Sequence, residues 1–101
     1  MIFERRFAEL IERQLDLFES DNAELIAQCD AAERAYDDAP RDEAEERYSE
    51  YLDLVESGSE LLVEIRDAYT ETLDELTAAE YESAFNHSVV RRFPRFALEL
   101  E

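Results

Sequence analysis

The sequence predicts an all-α fold: a long antiparallel two-helix hairpin, a shorter third helix and a docked C-terminal tail, assembled as a dimer of the four-helix-bundle type. One observation is the scarcity of turn formers, since the 101 residues include one Gly and two Pro, too few for the turns of a sheet. A second is the hydrophobic content of 46%, which suffices for a core. The third is the spacing of apolar residues, which recur at steps of three and four. A chain of this length fits one domain.

The first predicted helix covers residues 2–36 and carries a single apolar stripe. Such a stripe buries one face of a helix and leaves the opposite face solvated. Its members are Phe3, Phe7, Leu10, Ile11, Leu15, Phe18, Leu25, Cys29, Ala32 and Tyr36.

The second predicted helix covers residues 40–76 and follows the stretch "DDAPRDE". Pro40 fits the first turn of a helix, and the acidic residues beside it favour the positive end of the helix dipole. Because the connection is short, the two helices form an antiparallel hairpin. The second stripe consists of Ala44, Tyr48, Tyr51, Leu52, Val55, Leu62, Ile65, Tyr69, Leu73 and Leu76.

A third, shorter helix is predicted over residues 78–92. Thr77 followed three positions later by Glu80 is a capping-box pattern, which marks a helix start. Pro94 stops the helix, because proline cannot continue the hydrogen-bond ladder. Residues 1–92 are therefore expected to form a single helical-bundle domain.

Each arm of the hairpin has a polar stretch, at residues 19–24 and 56–60, and the hairpin register places the two opposite each other. One interpretation is that both stretches are helix caps, so that the arms break into shorter helices. The other is that the arms are continuous, with a bend, and that Asn22, Ser57 and Gly58 form a polar layer that fixes register. The apolar stripes keep their phase across both stretches, which favours continuous arms. Asn22 at the solvated edge of the stripe remains the alternative to a buried layer.

The two ends of the hairpin differ in bulk. Residues 3–18 face residues 61–76, both rich in large side chains. The third helix packs beside them through Tyr81, Phe85 and Val89. Near the turn the stripe has no third helix to cover it. We therefore expect self-association, with two hairpin ends forming a four-helix bundle.

The net charge of −18 constrains the partners. Residues 37–80 hold sixteen acidic and three basic residues, so the second arm is the most acidic element. Nucleic acids and anionic membranes require a positive patch and are not expected as partners. A basic protein is favoured electrostatically. No signal peptide or membrane-spanning stretch is evident, which predicts a cytoplasmic protein.

No catalytic, cofactor-binding or metal site is predicted. The only histidine, His87, lacks a carboxylate three or four positions earlier, so the metal-binding pairs of helical bundles are missing. The only cysteine, Cys29, lies on the apolar stripe and is expected to be a core residue. A single Gly excludes a Gly-rich phosphate loop. An enzyme is therefore not expected.

The tail, residues 93–101, follows the stretch "RRFPRF", where arginines alternate with aromatic rings. We expect Phe93 and Phe96 to dock on the bundle of the same chain or of a dimer mate, while the arginines meet the acidic second arm. A motif for another protein is the alternative. The arginines concerned are Arg91, Arg92 and Arg95.

These patterns predict a non-enzymatic, acidic protein-interaction or assembly module that associates with itself. A different class of function is an acidic decoy or inhibitor that binds a basic protein by mimicking nucleic-acid charge. A third is a cation-binding bundle without histidine ligands.

Overall fold

The computed structural model describes residues 2–97, with side chains from Arg6 onward, and confirms the all-α fold. Within this range there is no strand, and the molecule measures 50 × 23 × 23 Å. The predicted tail residues 98–101 lie outside the described residues. The elements are α1 (Ile2–Asp21), α2 (Ala23–Asp37), α3 (Ala44–Thr70), α4 (Glu75–Arg92) and a short 3-10 turn, η1 (Pro94–Phe96).

The first arm is divided at Asn22 into α1 and α2. The backbone at Asn22 has φ −121° and ψ 30°, outside the helical region. Hydrogen bonds nevertheless span the break, because Asn22 N–H donates to the Phe18 carbonyl and Ile26 N–H donates to the Asn22 carbonyl, both at 3.0 Å. The Asn22 side chain also donates to the Phe18 carbonyl at 3.0 Å, which is how asparagine competes with the helical ladder. The prediction of continuous arms is therefore wrong for the first arm, which is two helices.

The second arm is continuous through Gly58, as the phase of its stripe predicted, but it ends at Thr70 and not at Leu76. The hydroxyls of Thr70 and Thr72 donate to the carbonyls of Arg66 and Tyr69, at 2.8 and 2.7 Å. The Tyr69 carbonyl also accepts the Thr72 N–H at 3.0 Å, so a tight turn replaces the helical ladder beyond Thr70.

The start of α4 precedes its predicted position. Asp74, with φ −71° and ψ 167°, occupies the N-cap position, and Thr77, the predicted cap, lies inside the helix. Acidic residues at 74 and 75 suit the positive end of the dipole. Leu76 was predicted to be buried, which is wrong: it lies on the outer side of α4 and is 79% exposed.

The packing of the helices differs from a simple hairpin. α2 packs along α3, but α1 packs mainly on α4, and α4 also contacts α3 and η1. The prediction that residues 3–18 pack directly against residues 61–76 is therefore wrong, because α4 contacts both α1 and α3. The break at Asn22 allows this, because it frees α1 from following α2 along α3.

The core lies at one end of the molecule. Its buried members are Phe7, Ile11, Leu15, Phe18, Cys29, Val55, Leu62, Tyr81, Ala84, Phe85, Val89 and Phe96. No residue between positions 30 and 54 is buried. We call residues 30–54 the tip and the remaining described residues the base.

Candidate interaction site

Cys29 and His87, the only cysteine and histidine of the chain, lie in different surroundings. Cys29 is buried, and burial raises the pKa of its thiol despite the opposing charge of Arg95. His87 lies in a groove of about 390 Å³ between α1 and α4, together with Glu9 and Arg91. Among residues 2–97, no group of three or more His, Cys, Asp or Glu side chains is placed to hold a metal ion. In the same range, no helix is long and apolar enough to cross a bilayer.

We call residues 91–97 the C-terminal segment. Phe96 is its most buried residue and is 2% exposed. Its ring lies directly on Gly58 of α3: a Cβ atom at this glycine would be 2.3 Å from the Phe96 Cε1 atom. The only glycine of the chain therefore provides the space that the ring fills. The Ser59 hydroxyl donates to the Phe96 carbonyl at 2.9 Å, which fixes the backbone of the segment beside α3.

Three phenylalanine rings join the segment to α1. Phe18 makes edge contacts with Phe93 and Phe96, at centroid distances of 5.3 and 5.8 Å. Phe93 and Phe96 are 6.3 Å apart. Aromatic pairs favour such edge geometries, so Phe93 and Phe96 continue the core of the base.

Arg95 contacts both α2 and α3. Its guanidinium donates to Asp30 at 2.9 Å, to Glu33 at 2.7 Å and to the Tyr51 hydroxyl at 3.1 Å. It also lies 5.6 Å from the centre of the Tyr51 ring. Burial opposes its positive charge, but the hydrogen bonds to Tyr51, Asp30 and Glu33 outweigh burial and raise the pKa of Arg95.

The other two arginines of the segment differ from each other. Arg92 contacts Asp16 and Glu19 of α1, both at 2.7 Å, and hydrogen bonds to Glu19 and Asp16 raise its pKa. Arg91 is exposed and lines the groove between α1 and α4. The carboxylate partners of Arg92 and Arg95 thus lie on the first arm, and the prediction that the acidic second arm would supply them is wrong. Docking of Phe96 at Gly58 places the preceding residue over α2, which explains the difference.

The aromatic side chains supply most of the free energy of docking. Full burial of a Phe side chain contributes about 1.5–3 kcal/mol. Ion pairs whose carboxylates are half exposed, as those of Asp30 and Glu33 are, contribute about 0–1 kcal/mol each. Phe96 therefore holds the segment, while Arg95 orients it.

The predicted polar layer takes another form. The Asn22 side chain donates to the Phe18 carbonyl of the preceding helix, α1, and the Ser57 hydroxyl donates to the Asp53 carbonyl of its own helix at 3.2 Å. Neither hydrogen bond joins the two arms. Gly58, the third predicted member, contacts Phe96 instead.

The tip carries a second candidate surface. Tyr36, Tyr48 and Leu52 are 39%, 45% and 37% exposed. The rings of Tyr36 and Tyr48 lie 5.1 Å apart, so they join α2 to α3 but remain open to solvent. We call these three residues the tip patch.

Comparison with known proteins gives no relative: no protein family matches the chain, nor does any curated protein or solved structure. The docked C-terminal segment and the tip patch are therefore the features that bear on function.

Two residues of the site were missed in the sequence. Asp30 and Glu33 were not singled out, because charged residues are frequent along both arms. Asp30 and Glu33 are three positions apart and so lie on one helix face, which is the only sequence feature that could have indicated them.

Proposed function

We propose that this protein is a non-enzymatic protein-interaction module that associates with itself through the tip. The observation that supports this is the contrast in burial: residues 30–54 contain no buried side chain, yet the tip patch displays two tyrosines and a leucine. Two helices alone leave the flanks of their apolar stripes open to water, whereas four helices enclose a core. Two copies of the tip, packed side by side, complete such a bundle.

Repulsion between like charges opposes this association, so the effect of added salt on the dimer provides a test. The net charge of each chain is −18, and like charges on the two tips repel over about 8–10 Å at moderate ionic strength. We therefore expect the dimer to become more stable as salt is added.

The experiment is light scattering coupled to gel filtration, over a range of protein and salt concentrations. The wild-type chain is expected at twice its 11.8 kDa mass. Leu52→Asp in the tip patch should give the monomer. Val90→Asp is the matched control, because Val90 is similarly exposed, at 45%, but lies on α4 in the base.

A monomeric wild type at every concentration and salt would contradict the proposal. Equal dissociation by both substitutions would contradict the assignment to the tip.

A second candidate function, an acidic decoy for a basic protein, is favoured by the outer face of α3. Glu46, Asp53, Glu60 and Glu64 are all exposed, and their spacing places them on one side of the helix. The row is about 27 Å long at ~1.5 Å per residue. Retention on an immobilised basic protein such as a histone, lost in high salt and lost on changing these four residues to Gln or Asn, would support it. Retention that the four substitutions leave unchanged would exclude this face.

A further inference from the structure

The notch that holds the C-terminal segment combines two neighbouring subsites of different chemistry. One is apolar, where the Phe96 ring fills the space over Gly58 and meets Phe18 edge-on. The other is anionic, where the carboxylates of Asp30 and Glu33 accept hydrogen bonds from one guanidinium. We call these two subsites together the Arg-Phe notch.

The hydrogen bonds of the segment show that the notch recognises side chains more than backbone. Within the segment, Phe96 N–H donates to the Phe93 carbonyl and Ala97 N–H to the Pro94 carbonyl. The bond from Ser59 to the Phe96 carbonyl is the one that joins this backbone to α3. A short turn that satisfies its own backbone and inserts two adjacent side chains needs no covalent link to the bundle in order to fit.

We propose that the Arg-Phe notch is a peptide-binding site for an arginine followed by a phenylalanine, and that Arg95 and Phe96 are its resident occupant. A partner segment that presents the same pair replaces them. The planar guanidinium reaches two carboxylates and the Tyr51 hydroxyl at once, a geometry that a lysine ammonium cannot reproduce. The ligand class is thus a basic-aromatic peptide, selected by charge complementarity and by ring shape.

The covalent attachment of Arg95 and Phe96 to the bundle favours them as occupants of the notch over a free peptide. A segment attached to its own bundle competes at an effective concentration on the order of millimolar. The intact chain should therefore bind a free peptide weakly, and a chain whose own segment is disabled should bind it well. The notch shares no residue with the tip patch, although Asp30, Glu33 and Tyr51 belong to the tip.

The experiment uses the full chain and a fluorescent peptide of residues 91–97, RRFPRFA, with binding followed by anisotropy. The Phe96→Ala chain should bind the peptide at least ~10-fold more tightly than the wild type, because its own segment no longer competes at millimolar effective concentration. Peptides carrying Arg95→Ala, Arg95→Lys or Phe96→Ala should bind less well. Adding Gly58→Leu to the Phe96→Ala chain should abolish binding, since the new side chain fills the apolar subsite.

Cys29 provides a second measurement, because it directly precedes Asp30 of the notch. It is the only thiol of the chain and is fully buried. Its reaction with a disulfide reagent should be faster in the Phe96→Ala chain than in the wild type, and addition of RRFPRFA should slow it again.

A Phe96→Ala chain that keeps its helical circular dichroism but neither binds RRFPRFA nor regains thiol protection would overturn the proposal. If Phe96→Ala unfolds the chain, Phe96→Leu takes its place, because it keeps an apolar side chain near Gly58 but removes the ring that holds the segment. Peptide binding no stronger than that of the wild type would then overturn the proposal.

Discussion

The base and the tip are built from similar amphipathic helices but differ in what covers their apolar faces. In the base, α4 packs against both α1 and α3, and side chains such as Phe85 and Tyr81 are fully buried. In the tip, α2 and α3 pack on each other with Arg95 as their contact to the C-terminal segment, and Tyr36 and Tyr48 stay partly exposed. An apolar stripe alone therefore does not make a core, because a third element must cover it. The base is therefore expected to supply the stability and the tip to offer surface.

The largest expected difference between the two regions is in the free energy of unfolding that is lost when an aromatic ring is replaced by alanine. Phe85→Ala in the base should lower the free energy of unfolding by about 3–5 kcal/mol, the cost of deleting a buried ring. Tyr48→Ala in the tip should lower it by less than about 1 kcal/mol, because much of its surface is already hydrated. Urea denaturation followed by circular dichroism measures both. Similar losses for the two variants would remove the distinction between base and tip.

The next difference is in the response to alkali, which Tyr81 of the base should dominate. Its hydroxyl donates to Gln14 at 2.9 Å, and burial raises its pKa to about 12. An unfolded tyrosine titrates near pH ~10, so between these values the unfolded chain loses a proton that the folded chain keeps. The free energy of unfolding should therefore fall between about pH 10 and 12, by up to roughly 2–3 kcal/mol.

Tyr81→Phe should flatten this decrease, because it removes the titrating hydroxyl from the core. Tyr48→Phe in the tip is the matched control and should leave the pH dependence of wild type unchanged. Urea denaturation at pH values from 8 to 12 measures the slopes. A steep decrease that persists in Tyr81→Phe would show that another group is responsible.

The smallest change in the free energy of unfolding is expected at Gly58 in the base, and the sign of this change is informative. Ala in place of Gly inside a helix normally stabilises by about 1 kcal/mol. Here the added Cβ would meet the Phe96 ring at 2.3 Å, and losing the docked ring costs about 1.5–3 kcal/mol. Gly58→Ala should therefore destabilise the wild-type chain by about 0.5–2 kcal/mol.

In the Phe96→Ala background the same substitution should stabilise, because no ring remains to be displaced. Urea denaturation of the four chains of this cycle gives the coupling directly. A stabilising Gly58→Ala in both backgrounds would show that Phe96 does not occupy the notch in solution.

Much of this architecture could be predicted, because the spacing of apolar residues and the positions of prolines determine helix formation and helix ends through local interactions. The stripe gave the helical class, and Pro94 correctly marked the end of the third helix near Arg92. Tyr81, Phe85 and Val89 were predicted to pack in the base, and they are buried.

The rest depended on contacts between distant parts of the chain. The stripe runs in phase from Ile65 to Leu76, so nothing local indicated that α3 would end at Thr70. The division at Asn22 and the position of α4 between α1 and α3 follow from packing. The carboxylates that bind Arg95 could not be chosen among many acidic residues without knowing where Phe96 docks.

The pairing of α1 with α4 also bears on the order in which the molecule folds. The tip joins residues close in sequence, whereas Arg6 and Glu80 of the base, which form an ion pair, are 74 positions apart. Closing a loop of that length costs entropy before any contact offsets it. A hairpin of α2 and α3 that forms first shortens the loop. We therefore expect the region with the poorest core to lead folding, by bringing the two distant helices of the base within reach of each other.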